Sequence, residues 1–463
     1  MALGVTQDLN VYALLKEYYN GQEPEALVFR NDPVLGRISR ERIGGKYIPL
    51  PMAVYGNGGV SADYTQVTQQ AANSYLGVTM QVTPGHLFSS FVLDPQEYLA
   101  SQGDRAAFLS VFAIKAMLAL DDLRKMLAVT MYRMGYLDLG PIKAVDATNH
   151  IYVDVEPSTA MAVSPGSYLM FAPLSSGIPG SYRDANYRVV KSIASVYNTG
   201  WVRITFTAAY ISTVAVGDIL MVKGGRDASS NANAPVGLAS WLPTVSNRSG
   251  ATWDAYIATS FYGVDRSSAP DRLAGQYVYR NAAANETYTQ ALLRLLKNVR
   301  RGGGLGDLIL VNDDDFGQLM SDALANRTFM QPITGAGKGD KSEVTQGITQ
   351  FQMGFSTSWI NMVYDTPYCP KGTAYILDST VMHLYSITAS EKILDEIPSG
   401  NEPGAPKAGG TAEPTKNFMF LADDMYTTTP VALQSGQGLR VDFTFVGNFA
   451  IAAPGHCGVC QFV

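Results

Sequence analysis

Of all the stretches in this chain, His456-Cys457-Gly458-Val459-Cys460 offers the most reactive side chains. Two thiols three positions apart beside an imidazole supply three soft ligands, whereas tetrahedral zinc wants four. Cys369, or one of His86, His150 and His383, completes the set only if folding brings it there. A redox thiol pair normally opens a helix in a thioredoxin-like unit, and this pair lies beside β-type sequence. Free, partly buried cysteines are the better reading. Cys457, Cys460 and His456 therefore stand as a metal candidate that the ligand count disfavours.

Asp313-Asp314-Asp315 follows the apolar run Leu308-Ile309-Leu310-Val311 and has the charge to hold a cation. Carboxylates there also suit a helix N-terminus, where they meet free amides and the positive end of the dipole, and that reading is favoured. Gly335-Ala336-Gly337-Lys338-Gly339-Asp340-Lys341-Ser342 looks like a phosphate loop, but Gly339 stands where a hydroxyl must ligate magnesium, and no strand leads in. In Arg300-Arg301-Gly302-Gly303-Gly304-Leu305-Gly306 the glycines follow a helix and precede a strand, the reverse of a dinucleotide fingerprint, with Asp307 in the last glycine's place. A helix C-cap behind two basic residues explains them. With 4 histidines and no Gly-x-Ser-x-Gly, no nucleophile–base set can be named. The expectation is a protein that is not an enzyme, with no catalytic residue and no cofactor.

What must position these residues is a long chain. At 463 residues it exceeds what one hydrophobic core usually serves, so two or three packed units are expected. Charged residues make up 16%, low for a soluble domain, while Gly (44) and Pro (23) make the chain rich in turns. So little charge fits either an assembled state or a β-rich protein with a neutral polar surface. Thirty-four basic against 40 acidic residues, net charge −6, argue against a protein that grips nucleic acid, though not against a container for it. No signal peptide is visible at Met1–Asp8, and no apolar run spans a membrane; the best, Phe108 to Ala119, is cut by Lys115. Three cysteines are too few for a disulfide framework and fit a reducing cytosol.

The elements follow from periodicity. Asp8-Leu9-Asn10 can cap a short helix through Val11, Leu14 and Leu15, stopped at Asn20-Gly21, and an extended arm runs on to residue 46. Tyr47–Tyr55 and Tyr75–Val82 read as two strands of a ribbon, the first an edge because of Pro49 and Pro51, the second alternating at Val78, Met80 and Val82. An isolated hairpin is marginal in water, so a neighbouring molecule is expected to cover it. From residue 101 to 135, Leu109, Phe112, Ala116, Leu120, Leu123, Leu127, Met131 and Met134 make one helical stripe, capped by Ser101 or Asp104 and ended by Gly135. Lys115, Asp121, Asp122, Arg124, Lys125 and Arg133 take the polar side. Such a helix is a rod of roughly 45 Å. Residues 139 to 224 change to short β-type runs (Ile151–Val155, Tyr187–Val190, Trp201–Phe206, Ile219–Val222) and predict a small antiparallel barrel or sandwich. A second helix over Glu286–Val299, a strand at Leu308–Val311, a low-complexity loop at 396–416 and alternation in Val441–Val446 complete the chain.

Arm, ribbon, rod helix, β-rich insert and mixed α/β region, in that order, resemble the major capsid proteins of tailed bacteriophages, the Hong Kong 97 type. Phe91 to Gly135 looks like that family's return from the extended loop into the spine helix. Gly237-Leu238-Ala239-Ser240-Trp241-Leu242-Pro243, with Phe261-Tyr262-Gly263-Val264-Asp265-Arg266 and Leu273-Ala274-Gly275, looks like a block of one branch of phage coat proteins. Leu308-Ile309-Leu310-Val311-Asn312-Asp313-Asp314-Asp315-Phe316 is similar to the axial domain's strand–Asn–helix corner.

The resemblance implies an α+β, Hong Kong 97-type capsid fold. Its parts would be an N-terminal arm (1–46), an extended β-loop (47–97), the spine helix of the peripheral domain (98–138), a β-rich inserted domain (139–224), peripheral domain and linker (225–284), an axial domain (285–395), and a loop with returning C-terminal strands (396–463). It implies a structural protein of the virion that self-assembles in the host cytoplasm as hexamers and pentamers of an icosahedral head. The head would enclose double-stranded DNA without binding it specifically, and would add a portal protein and room for a decoration protein. An arm of 46 residues is short for a built-in scaffold, so a separate scaffolding protein is implied, or assembly without one. The ribbon residues Tyr47, Leu50, Tyr55, Tyr64, Val78, Met80 and Val82 are expected at the subunit interface, and deleting 57 to 74 is expected to leave capsomers or monomers. The alternatives are an encapsulin-like compartment shell, told apart by its cargo, and a secreted β-rich enzyme or adhesin, which needs a signal peptide and a catalytic set.

Overall fold

The computed structural model describes residues 38–42, 45–55, 62–65, 76–93, 105–175, 177–227, 231–325, 351–353, 361–386, 427–432 and 439–462. Most of the arm, most of the loop between 56 and 75, the proposed caps Ser101 and Asp104, the glycine–lysine run 335–342 and the low-complexity run 396–416 lie outside them. The described residues fall into two compact units: those of 86–127 and 386–446 make one, those of 32–85, 128–385 and 447–463 the other.

The chain starts with β1 (Ser39–Arg42), then β2 (Ile48–Tyr55) and β3 (Leu76–Val82). The last two form an antiparallel ribbon in which Ile48 faces Val82, Leu50 faces Met80 and Met52 faces Val78. A period of two puts Ile48, Leu50, Met52, Val54, Met80 and Val82 on one face, and all six are buried. The expectation that the ribbon finds no cover in its own chain is therefore corrected. The Gln81 amide donates to the Tyr262 carbonyl at 2.9 Å, and Asn448 Nδ2 donates to the Thr83 carbonyl at 2.7 Å. Cover comes from residues remote in sequence, which a local reading of the hairpin cannot find. Leu50, Met80 and Val82 are thus inside this chain and Val78 is half-buried, whereas Tyr47, Tyr55 and Tyr64 are 47, 47 and 82% exposed.

In the unit of 86–127 and 386–446, β4 (Gly85–Leu93), unforeseen in the sequence, pairs with a long strand near the C-terminus, and the Phe91 ring meets that of Phe443 at a tilt, 6.0 Å apart. Helix α1 (Arg105–Met131) is the rod; its 27 residues give roughly 40 Å. Of the predicted stripe, Leu123, Leu127 and Met131 are buried, and the side chains of Leu109, Phe112, Ala116 and Leu120 lie outside the described set. Arg133, expected on the polar side, lies beyond the last helical residue and is buried.

The next elements are β5 (Asp138–Val145), β6 (Tyr152–Val155), a single turn α2 (Pro157–Ala160), β7 (Tyr168–Ala172), the small hairpin β8 (Leu174–Ser175) and β9 (Ile178–Pro179), then β10 (Arg188–Val196), β11 (Trp201–Phe206) and β12 (Ile219–Val222). Six of them close into a barrel in the order β10-β11-β6-β5-β12-β7, which leaves no free edge. Val153, Val155, Leu169, Phe171, Ile204 and Leu220 are all buried. Phe171 meets Phe206 edge-on at 5.6 Å, and Tyr210 closes the group with its hydroxyl donating to the Tyr152 carbonyl at 2.9 Å.

Helices α3 (Leu238–Trp241), α4 (Gly250–Ala258) and α5 (Pro270–Leu273) lead into a mixed sheet. Its strands are β13 (Gln276–Tyr279), β14 (Leu308–Val311), β15 (Phe351–Met353), β16 (Asn361–Asp365), β17 (Thr373–Leu377) and, after β18 (Met382–Ser386), β19 (Thr427–Ala432) and β20 (Leu439–Ile451), the last strand β21 (Gly458–Gln461). Their order is β13-β21-β17-β14-β16-β15; β18 pairs with β1, and β19 with β20. β14 is central and buried at all four positions, as an unbroken apolar run should be. Helix α6 (Tyr288–Arg301), fixed by a capping box between Thr287 and Gln290, lays Ala291, Leu292, Leu295, Leu296 and Val299 into the core of this sheet. Helix α7 (Asp313–Ala325) follows β14.

Candidate functional site

Cys460 on β21 faces Val278 on one side and Ala374 on the other and sits in the core with Leu292 and Phe462. Burial pushes the Cys457 thiol up to about 12 and that of Cys460 higher still. Cys457 feels the charges of Asp378 and Asp307, Cys460 those of Arg294, Glu286 and Arg280, so the two look into different surroundings. Cys369 is buried as well, its thiol donating to the Thr373 carbonyl at 3.4 Å. His383 Nδ1 pairs with Glu41 at 2.8 Å, His150 packs on Tyr210 and His86 stacks on Phe88. Among the described residues no group of three or more His, Cys, Asp or Glu gathers as metal ligands.

The loop after α6 is tied down within the chain. The Gly304 amide donates to Val299, that of Leu305 to Asp378 at 2.9 Å, and Asp307 accepts from the amide and hydroxyl of Ser379. Gly303, directly after the C-cap Gly302, adopts φ 96° as a helix end favours, and Gly306 turns the loop at φ 61°. At α7 the cap is Asn312, not an aspartate. Its Oδ1 accepts from the Asp314 amide at 3.1 Å while its Nδ2 donates to the Cys369 carbonyl at 2.7 Å. Asp314 pairs with Lys371 at 2.8 Å, and Asp315, buried, accepts from the Gly372 amide at 2.6 Å. Burial lifts the Asp315 carboxyl to about 6.

Two guanidiniums packed on aromatic rings, Arg266 buried and Arg248 half-buried, escaped the sequence reading. Arg266, 2% exposed, lies over Phe261 and donates to the Ser240 carbonyl at 2.8 Å. Arg248 is sandwiched between the rings of Trp253 and Tyr277, and donates to the carbonyls of Pro243 and Ala274 at 2.9 and 2.7 Å. Burial first, then the nearby Arg266 charge, pull the Arg248 guanidinium down to about 10. Ser246, Asn247 and Arg248 deliver it there through three successive left-handed backbones, φ 48°, 52° and 52°. That backbone costs of order 1 kcal/mol at Ser246 and Arg248 and less at Asn247, a residue type that visits it readily.

Beside this stack runs a groove of about 510 Å³ between the outer part of β2 and the chain at α5, the end of α6 and residues 452–456. Tyr55, Asp271, Arg272, Asn298, Arg301 and His456 line it, and the Arg272 guanidinium lies 5.7 Å above the Tyr55 ring. A smaller hollow of about 430 Å³ adjoins it, sharing Asp271, Gln276 and Asn298 and reaching Arg248 and Trp253. Of the interface residues expected from the sequence, the structure brings Tyr55 to this groove, leaves Tyr47 and Tyr64 exposed, and withdraws the apolar four to differing degrees. On the barrel, the tilted rings of Tyr168 and Tyr187 meet at 4.5 Å with the Lys223 ammonium 4.0 Å over the second ring. No helix among the described residues is long and apolar enough to cross a membrane.

No protein-family model matches this chain, and no curated protein does. A chain of the cyanophage A-1(L) capsid asymmetric unit is similar over 96% of this chain and 96% of its own, at 13% identity and a TM-score of 0.52. A chain of Mycobacterium phage Bobi matches over 98% and 97% at 9% identity and a TM-score of 0.39. One from the satellite phage P4 procapsid with its size determination protein matches over 99% and 98% at 7% and 0.34. The first likeness shows a shared fold; the other two, at those TM-scores, add nothing to it.

Proposed function

We propose that this chain is the major capsid protein of a tailed bacteriophage, with the Hong Kong 97-type fold, and that it builds an icosahedral head around double-stranded DNA. The observation that carries the reading is the likeness to the cyanophage capsid chain, which runs over 96% of both chains and so includes the ribbon, rod helix, barrel and mixed sheet together. In that frame β2 and β3 belong to the extended loop, α1 is the spine helix, the barrel is the inserted domain and the sheet around β14 the axial domain. Its role is structural and its place the virion. Hexamers and pentamers of the chain, a separate scaffolding protein, a portal and a decoration protein are the proposed partners.

The ribbon's buried face is spent inside the chain, so contacts between copies fall to outward groups: Tyr47, Tyr55, Tyr64 and the outward ribbon face of Pro49, Pro51, Ala53, Thr79 and Gln81. Each contact can be weak, since many act together in a closed shell. A net charge of −6 keeps packaged phosphates from sticking to the wall.

Electron microscopy of the full chain, purified alone and co-expressed with the genes beside its own, tests the reading. Closed shells are expected; a protein that stays monomeric in both preparations overturns it. A filter-binding assay at physiological salt is expected to find weak retention of DNA, and tight, salt-sensitive retention contradicts that part.

A further inference from the structure

We propose that the groove under Tyr55 receives carboxylates of a second copy of this chain, those of Asp313 and Asp365, in a head-to-tail contact. The inference rests on the capsid reading and names one contact of the assembly. Arg272 and Arg301 are exposed at the groove, and neither has an ion-pair partner among the described residues. His456 stands with them, and Asp271 is the carboxylate in the lining. In the adjoining hollow the half-buried Arg248 adds a further positive charge. A chain of net charge −6 has thus gathered cations in one concave place without pairing them.

The complement lies elsewhere on the same chain. The parallel pairing of β14 with β16 sets Asp365 beside Val311, two residues before Asp313, and both carboxylates are exposed. Lys371 serves Asp314, which leaves Asp313 and Asp365 facing each other's like charge. Two different patches that attract each other make a heterologous contact, and repeated contacts of that kind close into a ring where the rotation between copies closes. Charge complementarity sets register and speeds encounter more than it adds affinity, which suits reversible assembly.

Sedimentation velocity of the full chain at low and high salt, with microscopy of the same samples, tests this. Arg272→Glu/Arg301→Glu is expected to weaken self-association roughly tenfold or more while its thermal midpoint stays put. Adding Asp313→Arg/Asp365→Arg to that variant is expected to restore most of the loss. Association of the first variant at the wild-type level overturns the proposal, and so does failure of the fourfold variant to exceed the twofold one. Should Arg272→Glu/Arg301→Glu misfold, Arg272→Gln and Arg301→Gln serve instead; each must flatten the salt dependence of association, and an unchanged salt dependence overturns the proposal. A variant that associates normally but loses retention of a short DNA duplex assigns the groove to phosphate and overturns it too. If the wild type makes small oligomers but never a shell, the capsid reading falls while these variants still decide the groove; if it never associates, both fall.

Discussion

Asn448 Nδ2 donates to the hydroxyl of Tyr262 at 2.8 Å, joining positions 186 residues apart. The same amide nitrogen donates to the Thr83 carbonyl, and its Oδ1 accepts from the Val236 amide at 2.8 Å. One side chain, 1% exposed, thereby pins the foot of the ribbon, the segment entering α3 and the Phe261–Val264 turn to β20.

Replacing Asn448 with Leu removes all three bonds and leaves the buried Val236 amide and the part-buried Tyr262 hydroxyl without this partner. A loss of about 3 kcal/mol in urea unfolding is expected; a loss below about 1 kcal/mol would show that water takes over the site.

Glycines 237 and 317 should respond with opposite signs. A Cβ on Gly237 would stand 2.1 Å from the Thr130 carbonyl oxygen and 2.4 Å from that of Met131, with backbone on both sides. Gly237→Ala should therefore cost about 2 kcal/mol or more. Gly317 lies inside α7 with nothing within 4 Å of its Cβ position, so Gly317→Ala should stabilise by about 0.5–1 kcal/mol. Thermal melts of the two variants check both signs.

All three thiols should be silent in the native protein. Cys369, Cys457 and Cys460 are fully buried, and burial holds the last two in the protonated form. A chromogenic disulfide reagent at pH 8 should titrate none of them before denaturant is added and three after it. Rapid reaction of one thiol in the native state would contradict the burial.

Asp315 makes a pH prediction. Burial raises its folded-state value from 3.8 to about 6, so the folded protein binds a proton that the unfolded chain has released between those limits. Its contribution to stability is complete below about 4 and is lost as pH rises through about 6. Asp315→Asn keeps an oxygen for the Gly372 amide and removes the titration. It should gain roughly 2 kcal/mol over wild type at pH 8 and nothing at pH 4. Equal gains at both values would rule out this origin.

Much of the architecture is written in local patterns. The period of two in Val78, Met80 and Val82, the three-and-four spacing of Leu292, Leu295 and Leu296, and the unbroken Leu308–Val311 run coincide with β3, α6 and β14. The glycines after α6 read correctly as a helix end, because chain geometry near a glycine is a local matter. β4 escaped because His86-Leu87-Phe88-Ser89-Ser90-Phe91 alternates weakly and gains its partner from β20. At α7 the aspartates drew attention from Asn312, whose capping geometry depends on the Cys369 carbonyl beside it.

Sequence alone determined the ribbon strands, the rod helix, the β-rich insert, α6 and β14, since alternation and amphipathicity act over a few residues and need no partner. It also counted against the metal and phosphate motifs, whose ligand counts and flanking elements do not match those chemistries. Tertiary structure decided what covers the ribbon, and so moved Leu50, Met80 and Val82 from a surface to an interior. It likewise decided that Arg272, Arg301 and His456, spread over nearly two hundred positions, share one groove with Tyr55. Burial and charge accumulation are sums over neighbours in space, and those neighbours come from parts of the chain that no local window contains.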